Sequence, residues 1–232
     1  MTAQPGRDLV VVGAGGFGRE TVEAVRALNA CGAGWRLLGY LDDDPALAGT
    51  LVDGLPVLGG LHELKGLPDA FVVVCTGRPD NYSSRPRIVR ALDLPPQRYA
   101  TIIHPTASVS TSSQVGPGSV MLAHTALTAA VSVGSHVAVM PQVTLTHDDV
   151  IADYATLASG ACLGGGARVG RGAYIGAGAL VREGRSVGAW ALVGMGAVVT
   201  RDIPARQVWA GVPARFQRAA DGGCDITDVE ES

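Results

Sequence analysis

A chain of 232 residues with 18 basic and 21 acidic side chains carries a net charge of −3, which gives no electrostatic reason to expect nucleic acid or an anionic membrane as partner. Its four cysteines, Cys31, Cys75, Cys162 and Cys224, stand far apart and form no CxxC or Cys/His pair, so neither a disulfide framework nor a zinc knuckle is expected. No run approaches the roughly twenty apolar residues of a membrane span, and Met1 to Arg7 lacks the apolar stretch of a signal peptide, so a soluble cytoplasmic protein is expected.

The first hundred or so residues alternate β-rich apolar runs with helical stretches, the pattern of an α/β fold. Leu9 to Val12 read as a buried strand. Gly13-Ala14-Gly15-Gly16-Phe17-Gly18 follow as a loop opening a helix whose Val22, Val25 and Leu28 share one face. Arg36 to Leu41 make a second strand, ending in Asp42-Asp43-Asp44, and Phe71 to Cys75 a third, ending in Thr76-Gly77-Arg78. Pro86 to Leu92 read as a helix, Pro95-Pro96 as a boundary, and Tyr99 to Ile103 as a last strand. This order is about half of a doubly wound nucleotide fold and sets a Rossmann-like half domain at residues 1–98.

Gly13, Gly15 and Gly18 fit GxGxxG, with Asp42 about two dozen residues on. In such a loop, backbone N–H groups at a helix N-terminus approach a phosphate while the acid accepts hydrogen bonds from a ribose or base. The sheet is too short for two mononucleotide halves, so a nucleotide-linked or otherwise phosphorylated small molecule is expected in preference to NAD. A purely structural tight turn is the alternative. Arg78, after the third strand, can pair with a phosphate or simply be solvated.

From Ile103 to Val199 every sixth residue is aliphatic, seventeen in succession. Glycine follows that position at 116, 134, 164, 170, 176, 188 and 194, and alanine precedes it by two at 155, 161, 167, 173, 179, 191 and 197. A six-residue period describes a chain coiling through a triangular prism, three hexads to a coil, with a narrow interior that takes only small partners beside Val or Leu. The glycines are expected at corners that need unusual dihedrals or close approach. Between five and six coils stacked about 4.8 Å apart give a rod roughly 25 Å long. The hexad has ended by Arg215, so residues 99–215 form the second domain and 216–232 an acidic tail, expected to be disordered or loosely packed.

Within this block His124, His136 and His147 follow core positions on three different faces, so one chain cannot bring them to a single metal. His147 lies two residues beyond a core position, with Asp148 and Asp149 after it. An imidazole there can take a proton at neutral pH, and Asp148 can fix its tautomer and orientation. A surface histidine at a corner is the plain alternative.

The hexad resembles the left-handed parallel β-helix of hexapeptide-repeat acyltransferases. Joined to the first domain it resembles the NeuD/PglD type of sugar acetyltransferase over residues 8 to 215, through GAGGFGRE (13 to 20), GYLDDD (39 to 44), IIHPTASVS (102 to 110), THDDVIADY (146 to 154), GAVVTRDIP (196 to 204) and AGVPAR (210 to 215). The resemblance implies a homotrimer with sites between subunits, acetyl-CoA as donor without a metal, and His147 as general base. It implies acetyl-CoA contacts at Thr156, Ala177, Met195 and Arg215. Thr156 stands where related enzymes often carry a second histidine. Acceptor contacts are implied at Gly13, Ala14, Gly15, Asp42, Asp43 and Arg78, with Phe17 in place of the histidine common in this loop of amino-sugar enzymes. The expected activity is direct acetyl transfer to the amine of a nucleotide-linked amino sugar. The alternatives are O-acetyl transfer to sialic acid or a secondary-metabolite sugar, a zinc hydratase, and a non-catalytic nucleotide-sugar binding scaffold.

Overall fold

The structure, a computed structural model, describes residues 7–220. The first domain is built on β1 (Arg7–Val12), α1 (Gly16–Ala30), β2 (Trp35–Leu41), β3 (Leu51–Val52), β4 (Leu55–Gly59), β5 (Phe71–Val74) and α2 (Ser84–Leu92). Its sheet runs β3-β4-β2-β1-β5. Strand β1 is parallel to β2 and β5, β2 is parallel to β4, and β3 and β4 form an antiparallel hairpin. That hairpin turns on Asp53 and Gly54, both at positive φ (49° and 76°), the two-residue turn that matches the right-handed twist of its strands. Helix α1 can lie close to the sheet because of one glycine: a Cβ on Gly18 would stand 1.9 Å from the Gly13 carbonyl oxygen.

Residues 102–199 form two-residue strands stacked into three parallel sheets of a left-handed β-helix. Each strand pairs with the one a coil later, as in Ala138 with Thr156 and Val139 with Leu157. Of the expected core positions, Met121 to Val199 are buried at every sixth residue, while Ile103, Val109 and Val115 at the open first coil are only partly covered. The alanines two residues before the core position, from Ala155 to Ala197, are fully buried beside them.

The glycines after the core positions serve close approach and not an unusual dihedral. At Gly170 an added Cβ would meet the Ala189 nitrogen at 2.5 Å, and at Gly176 the Met195 nitrogen and Val193 oxygen at 2.6 Å. The left-handed backbone falls two residues further on, at Gly118, Gly160, Gly166, Gly172, Gly178, Gly184 and Gly196, and also at His124, His136, Gln142, Asp148, Tyr154 and Trp190.

At the C-terminal end Gln207–Ala210 extends the eight-stranded sheet beside Leu192–Val193 and pairs antiparallel with Arg215–Ala219. The ordered chain therefore continues past Arg215, correcting the expected start of the tail at 216. Trp209, facing Phe216 across the hairpin and packed on the core, accounts for the extension. The rest of the expected tail lies outside the described residues.

These glycine classes separate in a stability experiment. Gly176→Ala, which meets backbone, should cost roughly 3 kcal/mol and lower the urea midpoint. Gly178→Ala, at φ 66° with open space around it, should cost roughly 1 kcal/mol. Equal losses would contradict the assignment of the first class to close approach.

Candidate active site

The two domains meet along a seam of rings and one guanidinium. Tyr82 donates from its hydroxyl to the Trp190 carbonyl at 3.0 Å. Arg85, in α2 and 1% exposed, donates through Nη2 to Thr156 Oγ1 at 2.6 Å and to the Tyr154 carbonyl at 3.0 Å. The His136 ring, 5% exposed, stacks on Tyr154 at 5.2 Å and meets the edge of Tyr99 at 4.5 Å. Gly118 makes room for it, since a Cβ there would lie 2.4 Å from His136 Nδ1.

Burial, with the Arg85 charge in support, pushes the His136 imidazole down to about 4. The unfolded chain therefore binds a proton that the folded one refuses between about pH 6.5 and 4, and stability falls as pH falls through that window. This histidine should remove roughly 2 kcal/mol between pH 7 and pH 5. His136→Phe should flatten that part of the pH–stability curve, measured by denaturant titration, and an unchanged slope would contradict the assignment.

The strand ends of the first domain open on a cleft of about 470 Å³ lined by Gly13, Gly15, Gly16, Phe17, Asp42, Asp44, Cys75 to Arg78, Asn81 and Ser84. Gly15 stands before α1 with no side-chain cap, and a Cβ on Gly15 or Gly16 would meet nothing within 4 Å. The N-terminus of α1 borders the cleft through Gly15, Gly16 and Phe17, a position where an anion is favoured. Asp42 is fixed by the backbone: its Oδ2 accepts from the Ala14 N–H at 2.8 Å and its Oδ1 from the Asp44 N–H at 3.0 Å. Cys75 donates to Thr21 Oγ1 at 3.3 Å, and burial pushes its thiol up to about 12, so it stays neutral. Arg78 reaches the cleft with Asp80 beside it at 3.4 Å.

Five of the residues expected at the acceptor thus share this cleft: Gly13, Gly15, Phe17, Asp42 and Arg78. Two do not. Asp43 accepts from the Leu61 N–H at 2.9 Å, fixing the start of the short helix Leu61–Gly66. Ala14 is buried and its N–H is held by Asp42. Asp44 and the segment Asn81–Ser84 were not singled out in the sequence. The third acid of the Asp42-Asp43-Asp44 run was the signal for Asp44.

His147 stands at the corner between the six-stranded and five-stranded sheets. Its Nδ1 is 2.8 Å from Asp148 Oδ2, and both side chains are 68% exposed. That bond assigns the proton to Nδ1 and leaves the lone pair on Nε2, which has no hydrogen-bond partner among the described residues. Asp148 reaches back through a left-handed backbone at φ 64°. Asp149 points inward, accepting from the Thr146 and Ala167 N–H groups at 2.8 Å each, and burial pushes its carboxyl up to about 6. The imidazole lies against Gly165 of the next coil, where a Cβ would stand 2.3 Å from Nε2. The run Gly164-Gly165-Gly166, eighteen residues below His147 in the repeat, was the sequence signal for this contact.

On the donor side, Ala177 and Met195 stack one coil apart at the corner between the eight-stranded and six-stranded sheets, with Met195 78% exposed. The Gly196 N–H donates to the Ala177 carbonyl at 2.8 Å. Arg215 is exposed on the terminal hairpin. Thr156 is buried in the seam, where its hydroxyl accepts from Arg85 Nη2 at 2.6 Å and its N–H donates to the Ala173 carbonyl at 2.9 Å. His124, His136 and His147 lie at three different corners, and among the described residues no group of three or more His, Cys, Asp or Glu side chains could hold a metal ion. No helix among them is long and apolar enough to cross a membrane.

Residues 8–92 match the PglD N-terminal domain family. Over 91% of this chain and 100% of the other, the structure is similar to the acetyltransferase domain of PglB from Neisseria gonorrhoeae FA1090, with 31% identity and a TM-score of 0.80, a domain also known in complex with acetyl coenzyme A. Perosamine N-acetyltransferase from Caulobacter crescentus, as a mutant in complex with CoA and GDP-perosamine, is 28% identical over 90% of this chain and 96% of that one, with a TM-score of 0.81. WeeI from Acinetobacter baumannii AYE is 28% identical over 91% of this chain and 100% of its own, with a TM-score of 0.78. No curated protein sequence matches significantly. A half-Rossmann cleft joined to a hexapeptide β-helix, matched over whole chains, makes this protein a member of the NeuD/PglD-like sugar acetyltransferases, acyltransferases that use acetyl-CoA.

Proposed function

We propose that the chain transfers the acetyl group of acetyl-CoA to the amine of a nucleotide-linked amino sugar, with His147 as general base. The observation that carries this is the exposed His147–Asp148 pair, in which Asp148 holds Nδ1 and Nε2 keeps its lone pair beside Gly165 of the next coil. In this reading residues 1–98 hold the acceptor, with the nucleotide phosphates at the α1 N-terminus and Asp42 on its ribose or base. Residues 99–215 carry the donor and the chemistry. Phe17 offers a ring face in the cleft. The amino-sugar acceptor is supported by the similarity to perosamine N-acetyltransferase, whose structure holds GDP-perosamine.

The reaction is direct. The acceptor nitrogen attacks the thioester carbonyl, His147 Nε2 takes the nitrogen's proton, and Asp148 stabilises the imidazolium. Backbone N–H groups hold the oxyanion until the carbon–sulfur bond breaks, and the proton passes to the departing thiolate.

The donor corner at Ala177 and Met195 and the base corner at His147 flank opposite edges of the six-stranded sheet. The outward residues of that sheet include Ala126, Cys162, Leu180 and Val198, with Leu180 47% exposed. A second copy laid on this face buries it and brings its own corner beside His147. Closing that head-to-tail contact into a ring gives a homotrimer with three shared sites.

The test is thiol release from acetyl-CoA against UDP-, dTDP- and GDP-linked amino sugars and their hydroxyl counterparts. Release with an amino sugar alone is expected, and release with hydroxyl sugars alone would replace N- by O-acetylation. His147→Ala should lower kcat by roughly 10² to 10⁴ with its melting temperature unchanged, and a loss below about tenfold would remove His147 as base. Gly165→Ala, which introduces no charge and no forbidden dihedral, should push the imidazole off the coil and lower kcat about 10- to 100-fold with little change in KM for either substrate.

A further inference from the structure

We propose that Arg85 is a positioning residue for a phosphate-bearing acceptor: clamped by the coil corner Tyr154–Thr156, its buried guanidinium sets a positive field behind the Thr76–Gly77 wall of the cleft. The inference rests on the reading of this cleft as the acceptor's seat.

Arg85 is among the most buried side chains in the molecule, yet its neighbours are neutral. The groups that act on it electrostatically are Cys75, Tyr154 and Tyr174, and none carries charge near neutral pH. Among the described residues no carboxylate pairs with it. Its acceptors are two carbonyls and a hydroxyl, at Tyr154, Ala155 and Thr156, and its Nε has no partner. Burial pushes it down only to about 10, so the charge persists at neutral pH. A buried cation without a counter-ion costs stability, and hydrogen bonds to neutral acceptors offset that cost only in part. A purely structural clasp between domains needs no such charge.

The cleft's lining carries Asp42 and Asp44, and its cation Arg78 is 80% exposed with Asp80 at 3.4 Å. Water screens a charge so placed, so an anionic ligand gains from the α1 N-terminus and from charge held behind the wall as well as from Arg78. Arg85 is placed for that: a Cβ on Gly77 would lie 3.9 Å from its Nη2, and Ser84, the residue before it, lines the cleft. Thr76 Oγ1, also buried without a partner, marks the same wall. Low-dielectric surroundings make such a charge felt across a few ångströms of protein more strongly than an exposed arginine.

The experiment is calorimetric titration of the full chain with UDP, dTDP and GDP and with the corresponding monophosphates, for wild type, Arg85→Met and Arg85→Gln, with melting temperatures alongside. Arg85→Met should weaken the preferred diphosphate by about tenfold or more and shrink the preference for diphosphate over monophosphate. Arg85→Gln, which removes the charge and keeps an N–H donor, should do the same. Should Arg85→Met not fold, Arg85→Gln decides alone: a reduced diphosphate preference supports the proposal, and a retained one overturns it. Unchanged binding in Arg85→Met, or equal weakening of mono- and diphosphate with a lowered melting temperature, would leave Arg85 as a clasp only. A wild type that binds no diphosphate in the panel would remove the cleft reading, and this proposal with it.

Discussion

The interior of the β-helix holds one aliphatic side chain per hexad and, two residues before it in most hexads, a side chain no larger than valine, and the placing of the chemical groups on this domain inherits that constraint. Because an aliphatic side chain meets Ala, Val, Ser or Thr across a narrow prism, each coil closes at the same length and each residue sits directly against the one a coil away. That stacking puts Gly165 against His147, Trp190 against Gly172 and Met195 against Ala177, each one coil on. Spacing between chemical groups is thereby set by the core, with little help from flexible loops. A side chain mounted on such a scaffold keeps its place with few neighbours, which explains how an imidazole as exposed as His147 can be held by one carboxylate and one glycine.

The seam between domains works on a different principle. There the rings of Tyr82, Tyr99, Tyr154, Tyr174 and Trp190 bury area, while His136 and Arg85 bring buried polar groups whose demands are only partly met. Apolar side chains of like volume would join the domains at lower cost. Polar groups at this depth fix the register of the cleft against the coil, because displacing either domain would strip Arg85 of its acceptors. In the proposed reaction rigid docking matters, since an acceptor held in the first domain would have to meet a base mounted on the second.

Much of this was legible in the chain. The hexad declared the β-helix because a six-residue period has no competing explanation, and the strand–glycine–helix start of the first domain was fixed by GxGxxG and the acid after β2. The β3–β4 hairpin was missed although Asp53-Gly54 is a strong turn signal, because only two residues of β3 precede it and no alternation develops. The glycine roles were separable only with coordinates: close approach and positive φ fall two residues apart in the same repeat. The burial of Thr156 against Arg85 was not legible because the sequence says which coil a residue occupies but not which domain covers it, and a buried arginine in a helix reads there as a solvated one. Asp43 shows the same limit, since three adjacent acids cannot be told apart until one is seen fixing a helix start.

The central claim is that one active site takes its base from one copy and its donor corner from another. Co-assembly tests it directly: subunits carrying His147→Ala are mixed, after denaturation and refolding, with subunits carrying Ala177→Trp, each variant being inactive by itself. The shared-site account predicts that mixed assemblies regain thiol release with a fraction of the wild-type rate. Mixed assemblies that form and remain as inactive as either parent would contradict it and return both groups to a single chain.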